Sequence, residues 1–556
     1  GVPLISSNEG RTITAFPGFD PLTGTLMSNE MRHFSIEAAP GRTLQRDLAD
    51  GRGLDATLLG LEYEQKFDGW AVSNKANYFD GDLNTIAMFT GANPQTAASY
   101  LAAAIGSANG NAGVVAAAGR PATGGALSFV NGGAAVDPSQ LVVNAGLWSV
   151  EKKLKSFTDE FRVSKEIVRG HNLTAGVYYA NYKSGDEWYL GNSHLMTATP
   201  NARLINAQLN NGVVVSKGGT DGNVFYAPVA SYKGHNTAFY VADEWTINER
   251  IKVDAGIRRE TQKVEANISN LTSVDPDNNP LTVYNNGTSA PSGSFTHLSR
   301  SDSVNSFTVG GLYKLTKHAS VFARANTGHT FIYFDDMRNA GTQAKLDDRN
   351  LVPTPKVSQL EFGYKTVEPL YSAYVNAFFT DFKGISFQQI TTNAVINSVS
   401  GSKGKGVEFE LAVRPTRELT LTLSGDWQHS TYKDNPAIEG KDVQRQPKLQ
   451  FRFSPSYRIP FGDDHSVKLY GTYTHIGARW ADQANLSYLP KYSMVDAGIL
   501  ASVGEHWEFR LAGTNLTNEL GLTEGNSRLT GAQASGPINA RPIFGRAIEI
   551  SALYRF

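Results

Sequence analysis

The sequence Gly545-Arg-Ala-Ile-Glu-Ile-Ser-Ala-Leu-Tyr-Arg-Phe556 alternates between apolar and polar residues. We predict that one set faces lipid and the other faces the lumen of a barrel. The first set is Ile548, Ile550, Ala552 and Tyr554, and the second is Glu549, Ser551 and Arg555. A period of two is typical of a strand whose faces meet different surroundings. A tilted strand of this length spans a bilayer, with its aromatic residues at one interface. A strand of a soluble sandwich alternates in the same way, so recurrence must decide.

Composition restricts the class of protein. Apolar residues make up 40% of the chain and charged residues 19%, and no run approaches the roughly 18 apolar residues of a membrane helix. A helical membrane protein is therefore excluded. The 54 Gly, 23 Tyr and 28 Phe suit many turns, many strands and aromatic girdles. The net charge of -1 gives no sign of a nucleic-acid partner. The absence of Cys excludes disulfides, thiolate metal sites and thiol catalysis.

The alternation returns along the chain from Thr57 onward. The run 57–67 is followed by the turn Asp68-Gly69 and a second alternating run from Trp70, which is a strong hairpin signal. Seven more hairpins follow, and the final strand brings the predicted number to seventeen. Their short turns lie around Gly170, Glu249, Lys317, Pro369, Pro415, Gly462 and Gly504.

Long connections alternate strictly with these short turns. They are residues 80–156, 184–236, 264–303, 328–358, 391–404, 431–447, 477–490 and 516–544. Bacterial outer-membrane barrels have the same asymmetry, with short periplasmic turns and long extracellular loops. We therefore predict an all-β fold, a large antiparallel transmembrane barrel over residues 57–556. Residues 1–56 are predicted to form an extracellular loop region, with a short strand at 31–36.

Two long connections are predicted to contain a helix. One runs from Ala97 to Ala104 after Asn93-Pro94, and the other runs from Pro200 to Leu209. Mobile, Ala-rich coil is the alternative interpretation, and it also applies to residues 116–118.

The C-terminal part of the chain resembles the TonB-dependent outer-membrane receptors. The resemblance rests on Thr514-Asn515-Leu516-Thr517-Asn518, on Arg541-Pro542-Ile543-Phe544-Gly545-Arg546, and on Lys405 to Leu411 after Phe378 to Phe382. It implies a barrel of about 22 strands, an N-terminal plug, and import of a scarce ligand with TonB-relayed energy in the bacterial outer membrane. Tyr554 and Phe556 then act as the assembly signal.

The resemblance also implies a set of partners. These are outer-membrane lipid and lipopolysaccharide, the plug domain, the TonB energy-coupling complex, and a small-molecule, siderophore, carbohydrate or peptide ligand.

One departure from the family concerns the start of the chain. Residues 1–56 are too few for a plug, and seventeen strands cannot place both barrel ends in the periplasm. We therefore expect a fragment that lacks the plug and the first strands. Gly1 should lie at the long-loop rim, opposite Phe556, with an open gap beside the last strand.

Two groups of residues are candidates for function. Charged residues on the lumen side are expected to contact a plug or to hydrate the lumen: Glu408, Glu410, Arg452, Arg458, Glu508, Arg510, Glu549 and Arg555. Aromatic residues in the long loops are expected to stack on a ligand or to belong to the interface girdle: Trp148, Trp188, Tyr189, Tyr333, Trp480 and Tyr488.

No catalytic arrangement of Ser, His and acid is recognisable, and residues 275–279 lack the spacing of a calcium loop. We therefore expect no enzyme activity, no cofactor and no metal. The leading hypothesis is an energy-coupled importer. A passive plugless porin and, more remotely, a barrel-embedded enzyme are the alternatives.

Overall fold

A computed structural model describes residues 2–8, 10–90, 92–390, 395–462, 464–525 and 536–556. The barrel order contains twenty strands, of which three are short pieces of two, five and three residues. The other seventeen form the wall. They are β1 (Arg52–Phe67), β2 (Trp70–Phe89), β3 (Leu141–Val168), β4 (His171–Gly191), β5 (Val229–Thr246), β6 (Ile251–Val274), β7 (Thr288–Lys314), β8 (Ala319–His329), β9 (Lys356–Val367), β10 (Tyr371–Ile390), β11 (Val395–Val413), β12 (Leu419–Lys433), β13 (Leu449–Pro460), β14 (His465–Ile476), β15 (Tyr492–Val503), β16 (Trp507–Thr514) and β17 (Ala547–Tyr554).

Each wall strand pairs with the next in antiparallel register from β1 to β17. The first hairpin shows why the sequence folds this way. Asp68 and Gly69 adopt φ angles of 47° and 76°, which the tight hairpin turn requires, and Phe67 pairs with Trp70. The predicted strands, short turns and antiparallel barrel are confirmed.

Several wall strands are longer than the sequence predicts, always on the long-loop side. β3 begins at Leu141 rather than Phe157, and β7 begins at Thr288 rather than Val304. The extra residues lie in the long connections and lack the simple alternation, because loop segments cover them. Leu147 and Leu298, for example, are fully buried.

The barrel order places β17 next to β1. Because seventeen antiparallel neighbours alternate in direction, these two strands run the same way. Among the described residues no continuous ladder joins them, and Leu58 and Leu61, on opposite faces of β1, are 71% and 66% exposed. A seam without a ladder thus stands in place of the predicted open gap. Gly1 lies outside the described residues, but Val2 pairs with Ala540 on the long-loop side. The fragment interpretation stays a prediction.

The long-loop side carries a folded assembly of short elements. A four-stranded sheet joins Thr12–Ala15, Val2–Ser7, Gly536–Pro542 and Leu522–Glu524, and a hairpin joins His33–Ala39 to Arg42–Asp47. The other strands are Gln95–Thr96, Gly125–Phe129, Ser193–Thr197, Ile205–Leu209, Val214–Ser216, Val224–Tyr226, Arg479–Trp480 and Tyr488–Leu489. The helices are α1 (Ala97–Gly110), α2 (Ala112–Ala118), α3 (Phe334–Ala340) and α4 (Gln343–Asp347), with short 3-10 turns at Asn29–Met31 and Leu48–Asp50.

The prediction of a loop over residues 1–56 is wrong in its secondary structure. β1 already begins at Arg52, and the segment before it forms four strands. The hairpin strand His33–Ala39 buries Phe34, Ile36 and Ala38, so period-two alternation is present there. Its polar composition hid this signal. The assignment of the segment to the extracellular side stays a prediction.

The helix predicted at 97–104 is confirmed, although its cap is Thr96 rather than Asn93. The Thr96 hydroxyl oxygen accepts a hydrogen bond from the Ser99 N–H at 3.1 Å. The predicted coil at 116–118 is wrong, because α2 covers it. The predicted helix at 200–209 is also wrong, because Ile205, Ala207 and Leu209 alternate with polar residues and form a strand.

Loop segments pack against the tall ends of the wall strands. Phe34 and Ile36 join Leu147 and Tyr189 of β3 and β4 in one core. Helices α3 and α4 form a second core with Tyr232, Val264 and Leu298 of β5 to β7. Among the described residues no single helix is long and apolar enough to cross a membrane; α1 and α2, bent at 92°, reach that length and composition only as a pair.

Candidate ligand-binding site

The strand register sorts the wall residues into two faces. On β17, Ile548 and Ile550 pair with Gly513 and Leu511, whereas Ser551 pairs with Arg510. Paired residues point to the same side, so alternate residues build an apolar and a polar face. The apolar face is exposed, as in Ile550 at 81% and Phe239 at 60%. The predicted orientation of β17 agrees with this register.

All eight charged residues predicted for the lumen fall on the polar face. Glu408 and Glu410 pair with Asp426 and Ser424, and Ser424 pairs with Arg452. Further round the wall, Arg458 connects through Lys468 and Leu500 to Arg510. Glu508, Glu549 and Arg555 continue the same face. Their contact with a plug domain stays a prediction.

Hydrogen bonds between neighbouring strands satisfy part of this polar face. The Arg510 Nε donates to the Tyr470 hydroxyl at 3.0 Å, and the Arg555 guanidinium lies 3.5 Å from Glu508. Arg324 binds Asp254 at 2.9 Å in the same way. Because these groups are largely exposed, each pair contributes less than about 1 kcal/mol. The polar face is therefore a hydrated wall rather than a packed core.

Trp188 is held in a rigid charged cluster near the long-loop end of β4. The Lys152 ammonium and the Arg338 guanidinium lie 4.8 and 4.3 Å from its ring centre. Arg338 also binds Asp186 at 2.8 Å and donates to the Tyr226 hydroxyl at 2.9 Å. Both faces of the ring are thus engaged by the protein's own cations.

The six predicted loop aromatics do not form one site. Tyr189 is 1% exposed and donates to Glu187, so no ring face is free for a ligand in this conformation. Trp148 packs against Phe89 at 4.3 Å, and Trp480 packs edge-on against Tyr488 at 5.4 Å. Tyr333, at 64% exposed, is the most accessible of them.

A cavity of about 460 Å³ lies between α1, α2 and the loops of the long-loop side. Its lining mixes hydroxyl, amide and carboxyl groups with small apolar side chains: Gln95, Tyr100, Ala103, Ala104, Ser107, Ala108, Asn111, Val114, Asn144, Val215, Asp221, Val283 and Asn286. This size is within the usual range for small-molecule sites. None of the lining residues is a Lys, Arg or His.

Helix α1 shapes one wall of this cavity. Tyr100, Ala103, Ala104, Ser107 and Ala108 follow the spacing i, i+3, i+4, i+7, i+8 and so share one helix face. Small residues on that face leave room for a cavity beneath the buried Tyr100 ring. Sequence reasoning missed this site, because an Ala-rich helix carries no chemical signature. The spacing of Tyr100 and Ser107 was the available signal.

Asp221 is the charged group of the cavity. Its Oδ2 accepts hydrogen bonds from the Tyr100 hydroxyl at 3.0 Å and from the Asn144 amide at 3.4 Å. Burial raises the pKa of Asp221, and the nearby donors of Ser193, Tyr100 and Asn144 oppose that shift. Its other oxygen, Oδ1, and the Asn286 Oδ1 are both shielded from solvent without a hydrogen-bond partner.

Metal-ligand clusters were also sought. In the part of the chain that the structure describes, no group of three or more His, Asp or Glu side chains could hold a metal ion. Residues 275–279 instead form turns, in which the Asp277 carboxylate accepts from the Asn279 N–H at 3.0 Å and from the Thr282 hydroxyl at 2.9 Å.

Comparisons with known proteins place this chain. The family model described as "TonB dependent receptor-like, beta-barrel" matches residues 6–516. No curated protein matches the sequence.

Three solved structures share the fold. The ferric yersiniabactin uptake receptor FyuA of Yersinia pestis is 12% identical, with a TM-score of 0.56 over 94% of this chain and 74% of that one. The siderophore receptor PiuA of Acinetobacter baumannii is 14% identical, with a TM-score of 0.54 over 94% and 81%. The pyoverdine receptor FpvA of Pseudomonas aeruginosa is 13% identical, with a TM-score of 0.55 over 97% and 66%. The chain belongs to the TonB-dependent receptor β-barrels, outer-membrane receptors and transporters of scarce ligands.

Proposed function

We propose that this receptor takes up a siderophore-type metal chelate that is neutral or cationic and rich in hydrogen-bond donors. The observation that carries the proposal is the cavity beside α1, on the long-loop side of the barrel. Its volume of about 460 Å³ suits one small ligand. Titles of structural neighbours name ferric yersiniabactin, ferric citrate and pyoverdine as their ligands or substrates, which supports a chelate over a peptide.

The charge of the lining sets the preferred ligand charge. Asp221 is the single ionisable acid in the cavity, and no lining side chain is a base. A polyanionic chelate would therefore lose its hydration without gaining a compensating cation. Ligand N–H or O–H groups, in contrast, find acceptors on Asn144, Asn286 and Asp221.

The two unpartnered oxygens couple binding to a local rearrangement. A buried acceptor without a donor costs about 1–3 kcal/mol. Because Asp221 Oδ1 and Asn286 Oδ1 are shielded from solvent, a ligand reaches them only after their side chains rotate. Binding then relieves this cost and changes the packing between α1 and the loop that contains Asp221.

The proposal is tested by titrating the purified protein with a neutral ferric trihydroxamate, an anionic ferric tricatecholate and a neutral maltooligosaccharide. We expect the neutral chelate to bind best and Asp221→Asn to weaken it at least tenfold. The matched control is Asp137→Asn, which removes an exposed loop carboxylate that only caps Ser139. Tighter binding of the tricatecholate, or of the oligosaccharide alone, would replace the proposed ligand class.

The polar face supports a second part of the proposal. We infer that Glu408, Arg452, Arg510 and their neighbours face a plug domain across a hydrated gap. Exposed charged pairs hold such a partner weakly, so it can move when energy is supplied. Cross-linking Cys placed at Arg452 to a plug supplied with the barrel tests this inference; equal cross-linking from Phe453, on the apolar face, would refute it.

A further inference from the structure

The apolar face carries a cationic site where the apolar band ends, on the long-loop half of β9 to β12. We propose that Lys403 and Lys405 bind the phosphate of a phosphorylated glycolipid in the outer leaflet. Neither lysine was assigned a role by the sequence. The inference is independent of the ligand cavity beside α1, because it concerns the opposite face of the wall.

Register shows how abruptly the surface changes. Phe362, Ala377, Val407 and Trp427 form one apolar row across four strands. The next row on the same face is Leu360, Phe379, Lys405 and His429, and the row after it is Ser358, Asp381, Lys403 and Thr431. Two lysines therefore follow directly on an apolar surface, as the two parts of an amphiphile would require.

Both lysines are available to an external anion. Among the described residues no carboxylate lies within 4.0 Å of either ammonium group, whereas the neighbouring cations are paired. Lys433 binds Asp381 at 2.6 Å, and Lys448 binds Asp442 at 3.1 Å. The nearby acids are thus already neutralised and do not cancel the charge of Lys403 and Lys405.

The shape of the surface fits a lipid better than a free anion. The lysines line a cavity of about 570 Å³ whose floor includes Leu360 and Phe379. At Ser358 it meets a groove of about 720 Å³ lined by apolar side chains, among them Ile257 and Phe307. An acyl chain can lie in the groove while the phosphate lies between the lysines. Charge-assisted hydrogen bonds from two ammonium groups match a phosphomonoester.

The experiment measures lipid binding to purified, delipidated protein by native mass spectrometry. The probes are bisphosphorylated lipid A, the same lipid after dephosphorylation, and inorganic phosphate as competitor. We expect Lys403→Gln with Lys405→Gln to weaken lipid A binding at least tenfold, and dephosphorylation to have a similar effect. Lys403→Arg with Lys405→Arg should retain binding, which shows that charge rather than folding is at stake.

The matched control is Lys365→Gln with Lys468→Gln, which removes two exposed lysines from the polar face. This variant should bind lipid A like the unmodified protein. Equal loss in both double variants would mean a general charge effect and would overturn the site. Displacement of lipid A by inorganic phosphate at equal concentration would show a simple anion site and would equally refute the lipid assignment.

Discussion

His194 shows at the scale of one residue how the loop assembly depends on pH. It is 1% exposed, its ring lies 4.4 Å from that of Phe34, and its Nε2 is 3.2 Å from the Thr220 hydroxyl. Burial lowers the pKa of His194 from 6.5 to about 4. The folded assembly therefore holds a neutral imidazole at a pH where the unfolded chain would protonate it.

We predict that the loop assembly loses stability as the pH falls from about 6.5 to about 4. The unfolded state binds the proton in this range and the folded state does not, so acid favours unfolding by up to about 3 kcal/mol. Hydrogen exchange of residues 193–197 and 219–221 at pH 7 and pH 5 measures the effect. His194→Gln should remove most of the difference, whereas the exposed His33→Gln should leave it unchanged. Equal protection at both pH values would contradict the prediction.

The strands illustrate how glycine and aromatic residues cooperate across the polar face. Tyr470 pairs with Gly498, and a Cβ at Gly498 would overlap the Tyr470 ring. Phe322 covers Gly363 in the same way. Similar pairs are Tyr240 with Gly176, Tyr182 with Gly234, and Phe378 with Gly406. An aromatic ring laid over a cross-strand glycine shields its backbone and fixes the register.

We predict that Gly498→Ala destabilises the barrel by about 1–3 kcal/mol, the usual cost of overpacking. The Tyr470 ring must move and thereby loses the hydrogen bond from Arg510. Gly471→Ala is the matched control, because a Cβ there would meet nothing closer than 3.4 Å. Urea unfolding followed by tryptophan fluorescence compares the two. A control as unstable as Gly498→Ala would show that backbone entropy, and not the ring contact, is responsible.

The two faces of β17 give a second prediction at this scale. Ile550→Arg should impair barrel assembly far more than Ser551→Arg, because a charge at mid-membrane on the apolar face costs about 2–4 kcal/mol. The Ser551 side chain shares its face with Arg510, where a further cation meets water. Heat-modifiable migration on a gel measures assembly. Equal effects of both substitutions would mean that the faces are misassigned.

Sequence patterns predict elements well where one environment acts along the whole strand. β13 and β16 alternate cleanly because lipid and water face them throughout, and their predicted limits are close to those observed. The strand at 205–209 was mistaken for a helix, since its partners lie about eighty residues away in the chain, at 125–129. The cavity beside α1 and the Lys403–Lys405 site escaped notice for the same reason: each is assembled by pairing between distant segments.

The whole molecule consists of a hydrogen-bonded wall and a loop assembly that rests on it. Neighbouring wall strands share ladders of up to more than twenty paired residues, as between β6 and β7. The N-terminal segment is attached mainly by side chains: Phe34 and Ile36 enter the core, Arg46 binds Glu151 at 2.7 Å, and Arg42 binds Glu187 at 2.7 Å. Regions held by few backbone bonds open at lower free energy than continuous ladders.

We therefore predict that Phe34→Ala with Ile36→Ala releases the segment 2–50 without unfolding the wall. Each truncation in a packed core costs about 2–5 kcal/mol, and this loss falls on the segment alone because its contacts do not include the strand ladders. Limited proteolysis should cut the variant before Arg52, while the remaining barrel keeps its folded migration on an unheated gel. Leu54→Ala with Leu58→Ala, on the exposed polar face of β1, is the control and should leave the segment protected. Loss of the folded migration in the Phe34 and Ile36 variant would show that wall and loop assembly unfold as a single unit, because the barrel would then depend on contacts outside its own ladders.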